Sequence, residues 1–408
     1  HDLGVVANIA REVVIIYQGA VMERGTVDDI FRHPGHDYLK GLFRAVPHFD
    51  MKEGERLVPL REIPHGSDSP LLKKHPRPEG PDTSGPVLHV VNLKKTFTPR
   101  KGNFFSGSAK TPVMAVNGVS FDVRRGECFG LVGESGCGKT TIGKMIMCAM
   151  TPDEGEIVFT DRGQSVNLPS LNARALMPIR KKIQMIFQDP FSSLNPRMTV
   201  FDIIREPLII HDIGDRQSQA ELVKELMRLV GLDPRYLNRY PHCFSGGQCQ
   251  RIGIARALAL KPDLMICDEP VSALDVSIQA QILNLLKDLQ TELGLTYLFI
   301  SHNLAVVDYI ATRIAVMCRG RLVETAPREL LFSNPVHPYT RSLIDVIPYP
   351  DLDRKLDLEK SGRERISDPA CWREPFFVGA GRQAEFIDLG GGHIVLAAKG
   401  ADEKDLVA

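Results

Sequence analysis

Apolar residues along this chain recur in two rhythms, short runs and longer stretches with helical spacing, and the two alternate from about residue 87 to 330. Val87-Leu88-His89-Val90-Val91 and Val119-Ser120-Phe121-Asp122-Val123 read as strands of an opening sheet. Cys128 to Val132 suits a buried parallel strand, Ile157-Val158-Phe159 a further strand, and Lys182 to Phe187 is an apolar run ending at Gln188. From Thr199 to Leu232 the pattern turns helical. Leu222, Leu226 and Leu229 recur at i, i+4 and i+7, with Val223 and Val230 beside them. Ile252 to Leu260 predicts another helix, Leu264 to Cys267 a short buried strand, Gln279 to Leu289 a helix and Tyr297 to Ile300 a strand. Strands alternating with helices predict an α/β fold with a mainly parallel sheet and a helical insertion at about 192–250. The helix at 217–230 reads as core packing rather than as a binding face.

The strand at Cys128 runs into the most specific chemistry on the chain. Residues Leu131 to Ile142 read Leu-Val-Gly-Glu-Ser-Gly-Cys-Gly-Lys-Thr-Thr-Ile, a strand, a glycine-rich turn and a helix start. Gly133, Gly136 and Gly138 allow backbone conformations closed to other residues, so successive N–H groups can face a polyphosphate. The helix N-terminus adds partial positive charge there. Lys139 can reach β- and γ-phosphates, and the Thr140 hydroxyl can bind Mg²⁺. Downstream, Leu264-Met-Ile-Cys-Asp-Glu269 places Asp268 and Glu269 at a strand end, where open α/β sheets place ligands. Asp268 can serve the Mg²⁺ shell, and Glu269 can orient or deprotonate an attacking water. Phe244-Ser245-Gly246-Gly247-Gln248 opens a helix; it suits a second anion cradle and ordinary N-capping by Ser245 alike.

The first fifty residues repeat a later segment. With His1 aligned on His302 and no gap, Leu3, Val5, Val6, Ile9 and Ala10 match Leu304, Val306, Val307, Ile310 and Ala311. In the same register Gly19, Glu23, Phe31, Pro34, His36, Tyr38, Leu42 and Pro47 match Gly320, Glu324, Phe332, Pro335, His337, Tyr339, Leu343 and Pro348. This internal repeat predicts that residues 1–50 are the tail of a first copy whose own phosphate loop lies upstream. Because residue 1 is His, the sequence is expected to begin inside a longer reading frame. Residues 51–86 carry seven prolines and read as an inter-domain linker without a core of its own. Pro99 to Thr111 predicts an exposed loop, and 351–408 carries no interpretable motif. Fifty basic and fifty acidic residues cancel, so bulk charge points to neither nucleic acid nor an anionic membrane. Eight scattered cysteines without a C-x-x-C pair read as reduced thiols of a cytosolic protein, with Cys371 alone in the tail. No apolar run approaches the ~18–20 residues that cross a bilayer, and nothing at the start resembles a signal peptide.

The order of these motifs resembles the nucleotide-binding subunit of ATP-binding cassette transporters. Phe97 stands where that family places an adenine-stacking aromatic, ahead of the loop Gly133, Glu134, Ser135, Gly136, Cys137, Gly138, Lys139 and Thr140, with Thr141 following. Gln188, in Phe187-Gln188-Asp189-Pro190, is similar to the family's Q-loop, and Ser245, Gly246, Gly247 and Gln248 to its signature. Asp268 and Glu269 resemble its second acidic motif, Ser272-Ala-Leu-Asp275 its D-loop, and Ser301-His302 its switch histidine. Phe244 and Cys249, which flank the signature, depart from the usual Leu and Gln. Asn334-Pro-Val-His-Pro-Tyr-Thr340 and its partner His33-Pro-Gly-His-Asp-Tyr38 resemble the tail of the oligopeptide, dipeptide and nickel importer branch.

The resemblance implies a P-loop NTPase fold with an antiparallel β subdomain and a helical insertion, complete over 87–350. It implies ATP and Mg²⁺, with Glu269 as base, His302 on the γ-phosphate, and Thr140, Gln188 and Asp268 around the metal. It implies a fused tandem protein at the cytoplasmic face of the inner (plasma) membrane. Its partners would be a second cassette, two integral membrane permease subunits and, indirectly, a periplasmic or extracellular solute-binding protein, with no nucleic acid. The transported substrate is not legible, because permease and binding protein select it. The alternative is a soluble tandem ATPase acting on ribosomes or nucleic acid; such proteins show basic arms, and this chain has no Lys/Arg-rich run.

Overall fold

The computed structural model describes residues 3–49, 51, 54–61, 85–98, 112–161, 163–348, 350–353, 367–377 and 383–407. His1, linker residues 62–84 and the loop predicted at 99–111 lie outside the described residues. The chain opens with helix Leu3–Ile9, strands β1 (Glu12–Tyr17) and β2 (Ala20–Thr26), and helices Val27–Arg32 and Asp37–Arg44. The hairpin turns at Gln18 and Gly19, both with positive φ, which suits the right-handed strand twist. Its inner face buries Val13 and Ile15 on Ile30 and Leu39, while Val14, Ile16 and Val21 are exposed.

The cassette that follows has two sheets. An antiparallel sheet in the order β4-β3-β6-β7 is made of β3 (Pro86–Phe97), β4 (Val113–Arg124), β6 (Glu154–Asp161) and β7 (Gln164–Asn167). The second sheet contains β5 (Cys128–Val132), β8 (Ile183–Ile186), β9 (Leu264–Asp268), β10 (Thr296–Ser301), β11 (Arg313–Cys318), β12 (Arg321–Pro327), β13 (Ala384–Asp388) and β14 (Ile394–Ala398). Their order is β13-β14-β12-β11-β5-β10-β9-β8, with β11, β5, β10, β9 and β8 parallel. Every residue of β5, β9 and β10 is buried, because both faces of the sheet are covered; the polar residues they carry, Asp268, Thr296 and Ser301, stand at strand ends. The α/β expectation and each predicted strand are present.

Two readings gain detail. The helical stretch from Thr199 is two helices, Val200–Ile210 and Arg216–Leu229. Asp212 and Gly214 take left-handed conformations between them, and Asp215 caps the second by accepting the Ser218 N–H. The helix expected at Ile252 starts earlier, at Gly246, where Ser245 and Gln248 form a capping box. The C-terminal stretch also adds to the sheet, since β14 pairs with β12 through Glu324↔Val395 and Thr325↔Ile394.

The linker reading is corrected at its beginning. Residues 54–61 run along helix Val276–Leu293, and Leu57 is 2% exposed within the main core. The Leu57 N–H donates to the Tyr309 hydroxyl, and its carbonyl accepts from Asn284 Nδ2 at 2.8 Å. Arg56 pairs with Asp288, and the Leu60 N–H donates to Ser277 Oγ. One buried leucine, worth roughly 2 kcal/mol, and four polar anchors offset the proline-rich composition that hid this contact. Leu57→Ala is expected to lose about 2 kcal/mol of this docking. Trypsin cleavage after Arg56 and Arg61 in folded protein would then quicken by ~10-fold or more; equal cleavage rates would refute the docking.

Candidate functional site

The phosphate loop is shaped by two backbone collisions that only glycine avoids. At Gly133 (φ +150°) an added Cβ would lie 2.1 Å from the Met317 carbonyl oxygen, and at Gly138 (φ +112°) 2.2 Å from that of Ala115. The loop is thus wedged between the end of β11 and β4 before it enters helix Lys139–Ile146. Gly138 offers no side-chain cap, so the first N–H groups of this eight-residue helix remain available to an anion. Lys139 is 4% exposed, and its ammonium donates to the Gly133 and Glu134 carbonyls at 2.7 and 2.9 Å. Ser135 and Gly136 form the exposed crest. Cys137 is buried, which pushes its thiol pKa up, and its carbonyl accepts the Gly320 N–H.

Thr140 Oγ1 donates to Asp268 Oδ1 at 3.0 Å. Burial raises the Asp268 pKa, opposed by the Thr140 hydrogen bond and reinforced by the charge of Glu269. Glu269 stands in the left-handed region, its N–H held by the Ile300 carbonyl at 2.9 Å. That strained turn carries its carboxylate across the sheet end. There Oε2 accepts from Gln188 Nε2 at 2.9 Å, and Oε1 lies 3.0 Å from His302 Nδ1. Gly133, Glu134, Ser135, Gln188, Glu269 and His302 line one open cleft of about 460 Å³, closed on one side by Leu304 and Leu343.

Other sequence candidates lie apart from this cleft. Phe97 is 40% exposed at the end of β3, opposite Val113, two residues before the Ala115 carbonyl that touches the loop. Ser245 is exposed at its helix start; its hydroxyl accepts the Gln248 N–H, and Gln248 Oε1 accepts the Ser245 N–H. Gly247 packs so closely on Ile278 that a Cβ would sit 2.3 Å from it. Thr141 is half-buried in the first turn after the loop. Sequence reasoning missed two neighbours of the loop. The Tyr339 hydroxyl accepts the Glu134 N–H at 3.2 Å, and Ser367 Oγ donates to the Glu134 carboxylate at 2.7 Å. Tyr339 carried a signal, its place in the repeated His-x-Tyr tail; Ser367 carried none.

The repeat extends to hydrogen bonding. Glu324 accepts the Val336 and His337 N–H groups, and His337 Nδ1 accepts that of Tyr339. Glu23 likewise accepts from Gly35 and His36, and His36 Nδ1 from Tyr38. Among the described residues, no group of three or more His, Cys, Asp or Glu side chains could hold a metal by itself.

Comparison with known proteins matches the cassette and both copies of the tail. The family model described as ABC transporter matches residues 116–272. The model for the oligopeptide/dipeptide transporter C-terminal region matches twice, at 22–69 and 323–370, the same displacement that carries His1 onto His302. The glutathione import ATP-binding protein GsiA of Salmonella paratyphi A is 47% identical over 355 residues, covering 87% of this chain and 56% of that protein. GsiA of Escherichia coli K12 is 46% identical over 359 residues, with the same coverage. The chain thus spans about half the length of these curated relatives. Among solved structures, the ATP-binding cassette MJ0796, in a dimeric post-hydrolysis state bound to ADP and Pi, is 29% identical with a TM-score of 0.51. That match covers 59% of this chain and 98% of MJ0796.

Gly138→Ala is expected to destabilise the fold by ~2 kcal/mol or more in urea denaturation, since both its φ and the Ala115 carbonyl oppose a side chain. An unchanged midpoint would show that the loop is not wedged as described.

Proposed function

The chain belongs to the ATP-binding cassette family, and from that premise we propose that it binds and hydrolyses ATP to power a peptide-type importer. The observation that carries the reading is the placement of Glu269 between Gln188 and His302, beside the Thr140–Asp268 pair and across one cleft from the phosphate loop. The N–H groups of the loop and helix start bind the substrate's phosphates. Lys139 exchanges the Gly133 and Glu134 carbonyls for β- and γ-phosphate oxygens. Phe97 stacks on the adenine from the neighbouring sheet. Glu269 gives up one of its two partners to accept a proton from the attacking water, and His302 turns to the γ-phosphate.

The hydroxyl of Thr140, the carboxylate of Asp268 and the amide oxygen of Gln188 are hard donors that fit Mg²⁺. Few protein ligands are needed, because this ion retains waters and shares phosphate oxygens. Bound there with ATP, it supplies charge neutralisation across the β- and γ-phosphates.

Ser245 to Gln248 lie outside the cleft of their own cassette, so the signature serves a nucleotide held by another cassette. Two features support a fused first cassette as that partner. Val14, Ile16 and Val21 are 47, 62 and 60% exposed, whereas Ala315, Met317 and Leu322, their counterparts in the repeat, are buried around β5 and the phosphate-loop helix. Matched residues of both copies also face one cavity: Leu3 with Leu304, Gly4 with Ala305, Val46 with Ile347 and Pro47 with Pro348. Equivalent residues lining one cavity are the pattern that two facing cassettes related by a two-fold would give.

No helix among the described residues is long and apolar enough to cross a membrane. By analogy with the importer relatives, attachment to the cytoplasmic face would run through two permease subunits, with a solute-binding protein delivering cargo to them. The tripeptide named in the relatives, glutathione, is the first cargo to assay. The ribosome or nucleic-acid alternative receives no support from relatives that are importer subunits.

Glu269→Gln should keep ATP binding while hydrolysis falls by ~100-fold or more, since an amide fills the space without accepting a proton. Turnover within threefold of wild type at saturating ATP would remove Glu269 from the role of base. Where two copies of this chain pair, mixing Lys139→Ala with Ser245→Arg chains should partly restore activity, because one of the two mixed sites is intact; no gain over either variant alone would refute a site shared between two copies.

A further inference from the structure

The crest of the phosphate loop has little packing of its own. Gly136 has open space around it, and Glu134, Ser135 and Gly136 are all exposed. Yet every polar group of Glu134 is engaged. Its carbonyl accepts from Lys139 Nζ and from the Cys137 N–H, which ties it to the loop. Its N–H and its carboxylate leave the loop altogether, to Tyr339 and Ser367 of the tail. Glu134 is therefore the joint between the lysine that meets phosphate and a segment more than two hundred residues downstream.

The tail side of the joint is rigid. Tyr339 is 1% exposed. Its N–H sits on His337 Nδ1 at 3.1 Å, and the His337 ring packs edge-on against Trp372 and Phe376 at 4.5 and 5.1 Å. Glu324 accepts the Val336 and His337 N–H groups and pairs with His393 Nε2 at 2.7 Å, in full burial. Glu324 lies on β12 and His393 immediately precedes β14, so the support reaches the far side of the main sheet. Ser367 is anchored by its neighbour Asp368, which pairs with Arg319 at the end of β11.

We propose that Tyr339 and Ser367 are positioning residues for phosphate binding: the tail and the C-terminal strands set the shape of the phosphate loop through Glu134. The inference rests on the nucleotide reading above and deepens it. With the Glu134 N–H taken by the tyrosine, the phosphate cradle consists of the N–H groups that follow. The two carbonyls that hold Lys139 are fixed with it. A loop freed from the tail would sample more conformations, and ordering it would then weaken nucleotide binding without altering the groups that react. Tyr38, held by the same pattern on His36 and Glu23, is placed to do the same for the phosphate loop of a first copy.

The test is the affinity of the full chain for a fluorescent ATP analogue, in wild type, Tyr339→Phe, Ser367→Ala, the double variant and Lys139→Ala. Tyr339→Phe removes one oxygen and should raise Kd about fivefold. Ser367→Ala, a surface change that leaves folding intact, should raise it by about two- to threefold, and the double variant by ~10-fold or more. Turnover at saturating ATP should stay within twofold of wild type while KM rises in step with Kd. Without nucleotide, amide exchange in the peptide containing Glu134 should quicken in Tyr339→Phe, and saturating nucleotide should remove the difference. Loss of binding in Lys139→Ala together with wild-type Kd and exchange in both tail variants would overturn the positioning role. Wild-type binding in Lys139→Ala would overturn the nucleotide reading itself.

Discussion

Two carbonyl groups, those of Met317 and Ala115, decide the geometry on which the rest of this molecule depends. They stand so close to Gly133 and Gly138 that no side chain fits, and between them the chain turns from β5 into a helix with its first N–H groups uncovered. Each carbonyl belongs to a different sheet: Met317 to β11, parallel to β5, and Ala115 to β4 of the antiparallel sheet. The phosphate loop is thus the place where the two sheets are in register with each other. Packing of either sheet, through Ala315 and Met317 or through Val116 and Val119, transmits to the position of Lys139.

The opposite wall of the cleft depends on a different constraint. Glu269 pays a conformational cost to hold a left-handed backbone, and the Ile300 carbonyl is what keeps it there. A residue continuing β9 in extended conformation would project its side chain perpendicular to the strand, onto the sheet face opposite that of Asp268. The turn brings the Glu269 carboxylate within 3.0 Å of both Gln188 and His302, which follow β8 and β10. The burial of Asp268 beside them raises its pKa while Thr140 holds the charged form, so this corner is built to receive positive charge.

Most of this was legible in the sequence, for a physical reason. A phosphate loop, a strand-end acid pair and a Ser-Gly-Gly helix start act through backbone conformations and short-range chemistry, so residue type and spacing report them directly. The repeat was legible because Glu23, His36 and Tyr38 recur as Glu324, His337 and Tyr339 at fixed separation. What stayed hidden was contact between distant segments. Leu57 sits in a proline-rich stretch whose average composition conceals one buried side chain and four anchors, three on helix Val276–Leu293 and one on Tyr309. Ser367 lies in a stretch with no pattern, and only the fold brings its hydroxyl to Glu134. The helix start at Ser245 was legible despite Gly246 and Gly247, because Ser245 and Gln248 at i and i+3 close a capping box.

The two tails show how burial changes the meaning of one hydrogen-bond pattern. In the first copy Glu23 and His36 hold their partners in the open. In the second, Trp372, Phe376 and the turn before β14 enclose the same arrangement, and His393 Nε2 lies 2.7 Å from the buried Glu324 carboxylate. Enclosure pushes the His337 pKa down to about 3, because its ring is removed from water. His337 therefore remains a neutral acceptor for the Tyr339 N–H across the neutral range. Protonation on Nδ1 would turn that acceptor into a donor facing a donor, so the low pKa protects the bond that fixes the tyrosine. The bond from the Tyr339 N–H to His337 is thereby insulated from pH near 7.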